Sequence, residues 1–301
     1  MPFSMQGLIL KGVGGFYTVE TAKGVYECRA RGIFRREGVT PAAGDRVEIS
    51  AAEDGTGTVE AILPRRNFLE RPPVANLDQL VIVASVREPE PNPLVIDRMI
   101  AAAECRGVEP LLVISKTDLS AADGLCEIYR GAGIGLRCVS SVTGEGVDAV
   151  RELLKGKITA FAGNTGVGKS SLLNAMFRSL NLETGEISRR LGRGRHTTRR
   201  VELFRLEGGG YVADTPGFSS FVPGPSGGLT KEKLPYCFRE FTPYLGRCRF
   251  TSCSHTCEKG CAVLEAVESG RISRSRHQSY VALYREMKDW NEWGKKEKSA
   301  L

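Results

Sequence analysis

Nowhere in the chain does an apolar run approach the roughly 20 residues that a membrane-spanning helix needs. Met1 to Leu10 has neither a basic start nor a long apolar segment. A membrane span and a secretory leader are therefore not expected, and the cytoplasm is the default compartment. No internal repeat is visible. Charge of one sign is also modest: 42 Lys and Arg against 35 Asp and Glu leave a net +7, which is compatible with nucleic acid but does not require it. What is present is ample for packed cores, since 41% of the 301 residues are hydrophobic and the length suits two or three domains.

The basic residues are clustered. Six arginines (Arg189, Arg190, Arg193, Arg195, Arg199, Arg200) fall within twelve residues, and Arg29, Arg31, Arg35 and Arg36 form a second group. Each group reads either as a solvated charged loop or as a set of phosphate contacts. Of nine cysteines, Cys28, Cys105, Cys126, Cys138 and Cys237 are scattered without regular spacing and read as free thiols in a reducing compartment. The other four, Cys248, Cys253, Cys257 and Cys261, are crowded with His255 into fourteen residues, a density that calls for a metal.

Three textures follow one another. Up to residue 68, short alternating runs broken by glycine (Gly7 to Lys11, Gly15 to Glu20, Val25 to Ala30, Arg46 to Ser50, Thr58 to Leu63) predict a five-stranded barrel of the oligonucleotide-binding (OB) type. Arg65 to Asn76, with Pro72-Pro73, reads as a linker. From 72 to 222, continuous apolar runs at Gln79 to Val86, Pro110 to Ile114, Leu136 to Val139 and Ile158 to Ala162 alternate with helical periodicity at Leu94 to Cys105 and Val147 to Leu154. That alternation predicts a mostly parallel sheet covered by helices on both faces. From 223 to 301 come a Pro- and Gly-rich stretch, the cysteine cluster and two helical segments, Ala262 to Glu268 and Ser275 to Trp290, expected as a small helical metal-binding domain.

Gly163-Asn164-Thr165-Gly166-Val167-Gly168-Lys169-Ser170 fits the phosphate-loop pattern, follows an apolar strand and opens a helix at Ser171. Its glycines let backbone N–H groups approach a β-phosphate, Lys169 neutralises β/γ charge, and the Ser170 hydroxyl is placed to ligate Mg²⁺. The choice of base falls to Ser115-Lys116-Thr117-Asp118 at the end of the preceding strand. It resembles the guanine-reading Asn-Lys-x-Asp element, in which the aspartate accepts hydrogen bonds from guanine N1 and N2. Ser115 stands where asparagine is usual, and a hydroxyl cannot replace both functions of a carboxamide. Ser140-Ser141 resembles the final base-contacting loop or is a plain turn. Asp214-Thr215-Pro216-Gly217 matches the Asp-x-x-Gly element, and Thr198, in preference to Thr197, is expected to complete the magnesium shell.

The order of these elements is rotated. The guanine reader and final loop precede the phosphate loop, the arrangement of a circularly permuted GTPase. With barrel, permuted GTPase domain and cysteine cluster in this order, nearly the whole chain resembles the ribosome small-subunit-dependent GTPase A family. The resemblance implies GTP and GDP as ligands, action late in 30S maturation, contact with 16S rRNA, and hydrolysis stimulated by the 30S subunit. It also implies one structural Zn²⁺ on Cys248, Cys253, His255 and Cys261, with Cys257 outside the ligand set. Arg247, Arg249, Arg271, Arg274 and Arg276 would then face rRNA, and a monomer is the default expectation.

Two further expectations follow. Many GTPases place glutamine after Asp-x-x-Gly to orient the attacking water, but here the residue is Phe218. His196, beside the threonines, is the candidate within this chain, with a partner-supplied group, or a role in rRNA binding or packing, as alternatives. A different class of function is an RNA-binding assembly factor in which nucleotide serves mainly as an ordering ligand.

Overall fold

The computed structural model describes residues 3–70, 72–178, 201–214 and 229–298. The expected site residues Thr197, Thr198, His196 and Gly217 lie outside them, and of Asp214 only the backbone is described. The chain forms two compact units. One comprises residues 1–80, 148–161 and 169–218, the other 81–147, 162–168 and 219–301.

The first unit opens with five strands: β1 Phe3–Val13, β2 Phe16–Thr21, β3 Gly24–Ala30, β4 Arg46–Ala51 and β5 Thr56–Ile62. β1 pairs antiparallel with both β2 and β4, β3 runs parallel to β5, and β4–β5 closes the ring. This is the expected barrel. Alternate residues point inward, so Ile9, Val19, Cys28, Val47, Ile49 and Val59 fill the lumen, with Phe34 from the short helix α1 (Gly32–Arg36) among them. Gly7 is required at its crossing, where a Cβ would stand 2.4 Å from Cγ1 of Val19. Asp45, fully buried, accepts two 2.7 Å bonds from the Arg65 guanidinium and one from the Ala42 N–H, so its charge is compensated.

The segment read as a linker carries structure. β6 Phe68–Glu70 and β7 Pro73–Ala75 pair antiparallel, because Pro73 occupies the first residue of its strand, where a missing N–H costs no ladder bond. The unit continues with α4 (Val147–Leu154, whose first residue belongs to the other unit), β11 Ile158–Ala162, α5 Lys169–Arg178, β12 Glu202–Arg205 and β13 Tyr211–Asp214. β11 runs parallel to β13, β12 lies antiparallel to β13, and β12 pairs with β1 at Lys11↔Glu202. Lys11 and Glu202 add an ion pair at 3.1 Å, and Arg205 reaches Glu20 at 2.8 Å, so the barrel and this edge of the nucleotide-type sheet are one hydrogen-bonded structure.

The second unit holds β8 Gln79–Ser85 (whose first two residues belong to the other unit), β9 Glu109–Ser115 and β10 Gly135–Cys138 in the order β10-β9-β8. β8 is buried along its whole length, as a strand covered on both faces must be. α2 (Pro93–Glu104) starts where the Asn92 side chain caps the Val95 N–H and proline takes the first turn. α3 (Asp123–Gly131), α6 (Ala262–Glu268) and α7 (Arg274–Lys298) complete it. The C-terminal segment packs through Phe238, Phe241, Val263, Tyr280 and Leu283, with Ala101 of α2 in the same core.

Arg276 corrects an expectation. It does not face outward to RNA but is fully buried, donating to Asp97 at 2.7 Å and to both oxygens of Glu240 at 2.7 and 3.1 Å, with Phe238 4.5 Å from its guanidinium. Its partners, 179 and 36 residues away, give no local signal of this.

Candidate nucleotide and metal sites

Three loops in the second unit carry the predicted nucleotide residues from Ser115 to Asp118, Ser140-Ser141 and Gly163 to Gly168. Gly163 (φ 139°), Gly166 (φ 82°) and Gly168 (φ 90°) all have left-handed or related backbone that favours glycine. A Cβ on Gly163 would stand 2.3 Å from the Val83 carbonyl, so the loop can hug β8 only without a side chain there. Asn164, Thr165 and Gly166 are exposed, while Val167 is buried and anchors the loop. In the first unit, α5 begins at Lys169 and buries Leu172, Leu173, Met176 and Phe177, leaving Ser170 and Ser171 at its start exposed. Half-burial pulls the Lys169 ammonium below the usual lysine range, and an anionic ligand would restore it.

β9 ends at Ser115, whose hydroxyl donates to the Val167 carbonyl at 2.5 Å, with the Ala84 carbonyl at 3.2 Å. Lys116 turns the chain with φ 60°, and its ammonium donates to the Glu88 carbonyl. The Leu119 N–H then closes back on the Lys116 carbonyl at 2.9 Å, and the Thr117 N–H meets the Val139 carbonyl at 3.3 Å. The Asp118 carboxylate accepts a 2.6 Å bond from the Ser140 hydroxyl. The loop after β10 is closed by Gly144 N–H to Ser140 carbonyl at 2.9 Å. It needs Gly146, where a Cβ would fall 2.1 Å from the Cys138 carbonyl. Ser141 is half-exposed. The structure thus forms two bonded pairs, Ser115 with Val167 and Ser140 with Asp118. The role of Ser115 toward Val167 was not legible in the sequence, because the bond spans 52 residues.

Elsewhere in this unit, Cys248, Cys253, His255 and Cys261 place their ligand atoms within 4.8 Å of one another. Cys248 Sγ lies 3.8 Å from Cys261 Sγ, and His255 Nδ1 lies 3.4 and 3.5 Å from those two sulfurs. A tetrahedral ion with metal–sulfur bonds of about 2.3 Å and metal–nitrogen bonds of about 2.0–2.1 Å requires ligand–ligand edges of about 3.8 and 3.5 Å, which the three edges among Cys248, His255 and Cys261 match. Cys257 is exposed and is not one of the four.

The surrounding bonds orient these ligands. His255 has φ 57°, and its carbonyl meets the His277 Nε2 at 2.8 Å, while Tyr280 donates to the Ser254 carbonyl at 2.7 Å. Glu258, which no motif singles out, gathers the knuckle: its carboxylate accepts the N–H groups of Ser254, Thr256 and Cys257 at 2.7, 3.0 and 3.1 Å. Burial alone would push this carboxyl up, but the Ser254 hydroxyl and these N–H donors outweigh it and hold it down to about 2.

In the barrel, a groove of about 600 Å³ is lined by Phe16, Tyr17, Arg29, Arg31 and Phe34 among others. Phe16 is 38% exposed and lies 4.6 Å below the Arg29 guanidinium. Near the metal cluster, Arg249 and Arg271 lie over Phe250 and Tyr244 at 5.6 and 5.5 Å. Among the described residues, no helix is long and apolar enough to cross a membrane.

Comparison with known proteins places these features together. The family described as RsgA GTPase matches residues 62–222, and the RsgA N-terminal domain matches 6–59. The chain is 46% identical over 288 residues to the small ribosomal subunit biogenesis GTPase RsgA of Caldanaerobacter subterraneus subsp. tengcongensis, covering 95% of this chain and 96% of that protein. With the protein of the same name from Streptococcus pneumoniae it shares 45% over 294 residues, 97% of this chain and 98% of the other. The crystal structure of YjeQ from Thermotoga maritima superposes with a TM-score of 0.82 at 37% identity, covering 95% of this chain and 99% of that one. That of YloQ, described as a circularly permuted GTPase, gives 0.80 at 33%, covering 95% and 96%. With an N-terminal five-stranded barrel, a circularly permuted GTPase region and a C-terminal Cys₃His cluster, the chain belongs to the RsgA GTPase family.

Proposed function

We propose that this GTPase binds the small ribosomal subunit and its 16S rRNA, acts late in 30S maturation, and couples release to hydrolysis of GTP to GDP and phosphate. The observation that carries the reading is a pair of bonds at the strand ends: Asp118 held by Ser140, and Ser115 bonded to the phosphate loop at Val167. In this reading Asp118 takes guanine N1 and N2, the Lys116 stem lies along the ring, and Ser140-Ser141 flank the base. Gly163 to Gly168 offer backbone N–H groups to the phosphates, Lys169 neutralises β/γ charge, and Ser171 continues the helix start. A magnesium ion bound with the nucleotide would be held by Ser170 and Thr198, with Asp214 assisting, and would supply further neutralisation of the phosphate charge. Gly217 N–H meets the γ-phosphate. His196 orients the attacking water, a task that the ring of Phe218 cannot perform.

For the Cys₃His cluster the ion is zinc: three thiolates and one imidazole with no open position suit a structural site. The basic and aromatic surfaces at Arg29/Phe16 and Arg249/Phe250 supply cation and stacking contacts for rRNA. The division of the chain at 1–68, 72–222 and 223–301 accompanies this reading; the matches over 6–59 and 62–222 support a separate N-terminal domain and an end of the GTPase region at 222. Co-sedimentation tests it. The protein loaded with a non-hydrolysable GTP analogue is expected to pellet with 30S subunits and the GDP form to remain in the supernatant; equal pelleting of both forms would contradict the coupling.

A further inference from the structure

We propose that Lys11 and Glu20 of the barrel are positioning residues for stimulated hydrolysis: they grip the hairpin β12–β13 at both ends and transmit the barrel's engagement with the 30S subunit to it. The proposal rests on the reading of Thr198, Asp214 and 30S stimulation given above. The course of β1 makes the grip possible. Phe3 to Leu8 pair with β4 and close the barrel, but the register against β2 shifts between Ile9 and Lys11, and Lys11 pairs with Glu202 of β12. An irregularity of this kind re-aims a strand. The barrel thereby becomes the outer neighbour of β12 in the sheet.

Two rungs of the hairpin are held. At its turn end Arg205 and Tyr211 are register partners, and Glu20 of β2 accepts from both, from the Arg205 guanidinium at 2.8 Å and from the Tyr211 hydroxyl. At its open end Glu202 and Asp214 are register partners, and Lys11 pairs with Glu202 at 3.1 Å. Both segments expected on the magnesium side adjoin this open end in the sequence: Thr198 stands four residues before Glu202, and Gly217 three after Asp214. The bonds to Glu20 are unequal. The Arg205 side chain is 67% exposed, so its ion pair contributes little, whereas that of Glu20 is 13% exposed. Burial and the bond to Glu20 push the Tyr211 phenol up to about 12, so it remains a donor through the neutral range. β13 also pairs with β11 over Ile158 to Ala160, which keeps the hairpin in the sheet without the barrel. What Lys11 and Glu20 add is transmission, so their loss should show in stimulated and not in basal turnover.

The test uses the full chain with the double variant Lys11→Ala/Glu20→Ala, and with Lys11→Met, Lys11→Arg and Arg205→Ala singly. GTP turnover is followed against 30S concentration, which gives a basal rate, a maximal stimulated rate and the concentration for half-maximal stimulation. Thermal melting confirms that each variant is folded. The double variant is expected to keep its basal rate and half-maximal concentration within about twofold, while its maximal stimulated rate falls about tenfold, the scale of losing charge-assisted hydrogen bonds. Lys11→Met removes only a part-exposed charge and should show the same split at about threefold, a usable result if the double variant melts early. Lys11→Arg, which keeps the charge, and Arg205→Ala stay near wild type. Full stimulation of the folded variants would overturn the proposal. So would a raised half-maximal concentration with an unchanged maximum, because the residues would then serve docking alone. An equal fall in basal and stimulated rates would reduce them to structural supports and overturn it as well. Wild-type protein indifferent to 30S subunits would instead defeat the underlying reading, an outcome separate from any difference among the variants.

Discussion

Ser140 and Asp118, 22 residues apart, meet in a 2.6 Å hydrogen bond that joins the loop after β10 to the loop after β9. The bond fixes one oxygen of the carboxylate before any ligand arrives. Because Ser140 also accepts the Thr143 N–H at 3.2 Å, its own position is set by the turn that follows it. Preorganisation of this kind reduces the ordering cost of binding. Ser140→Ala should weaken GDP by about tenfold, in keeping with loss of a hydrogen bond to a charged acceptor. Isothermal titration would show it, and an affinity within twofold of wild type would mean that the bond is incidental to binding.

Arg276 supports a second prediction. Removing one member of a buried, compensated charge cluster leaves the others uncompensated, so Arg276→Ala should cost roughly 3–5 kcal/mol in the stability of the unit that contains it. Thermal melting of the zinc-loaded protein reads this as a lower midpoint. A variant that melts with wild type would show that water, or a shift of Asp97 and Glu240, relieves the buried charges.

Glu258 is predicted to matter to the metal without touching it. Its carboxylate collects three N–H groups of the loop that carries His255. Glu258→Gln keeps the shape but loses the charge, and zinc affinity should fall by about 10–100-fold, the usual range for groups that orient ligands. Competition with a chromogenic chelator measures it. Wild-type affinity in the variant would reduce Glu258 to a loop-closing residue only. Total metal analysis should give one zinc per chain, lost in Cys261→Ser and retained in Cys257→Ser.

His196→Ala should lower stimulated turnover by about 10²-fold or more, as for other positioned acid–base groups, while leaving GDP affinity unaltered. Single-turnover hydrolysis beside a binding titration separates the two. Unchanged turnover would transfer the water-orienting task to the ribosomal partner.

Much of this architecture is written locally. β8 and β11 are legible as unbroken apolar runs because both faces are covered, and the barrel strands are legible from alternation and glycine turns. The phosphate loop and the Cys₃His set depend on spacing within eight and fourteen residues, which a sequence displays directly. What was illegible is non-local or short. α3 buries only Cys126 and Tyr129, too few to mark a helical face, and β12 is four residues long. Arg276 resembles its exposed neighbours Arg271 and Arg274 until Asp97 and Glu240 are brought around it. The bond from Ser115 to Val167 belongs to the same class: neither residue announces the other, and only the folded sheet places them together.

Coupling of guanine-nucleotide hydrolysis to the small subunit is read from the steady-state GTPase rate with added 30S, 50S or 70S particles, with ATP as the control substrate. A slow basal rate with GTP, raised by 30S far more than by 50S or 70S, and no turnover of ATP is the predicted result. A rate indifferent to 30S subunits, or ATP turned over as readily as GTP, would contradict it.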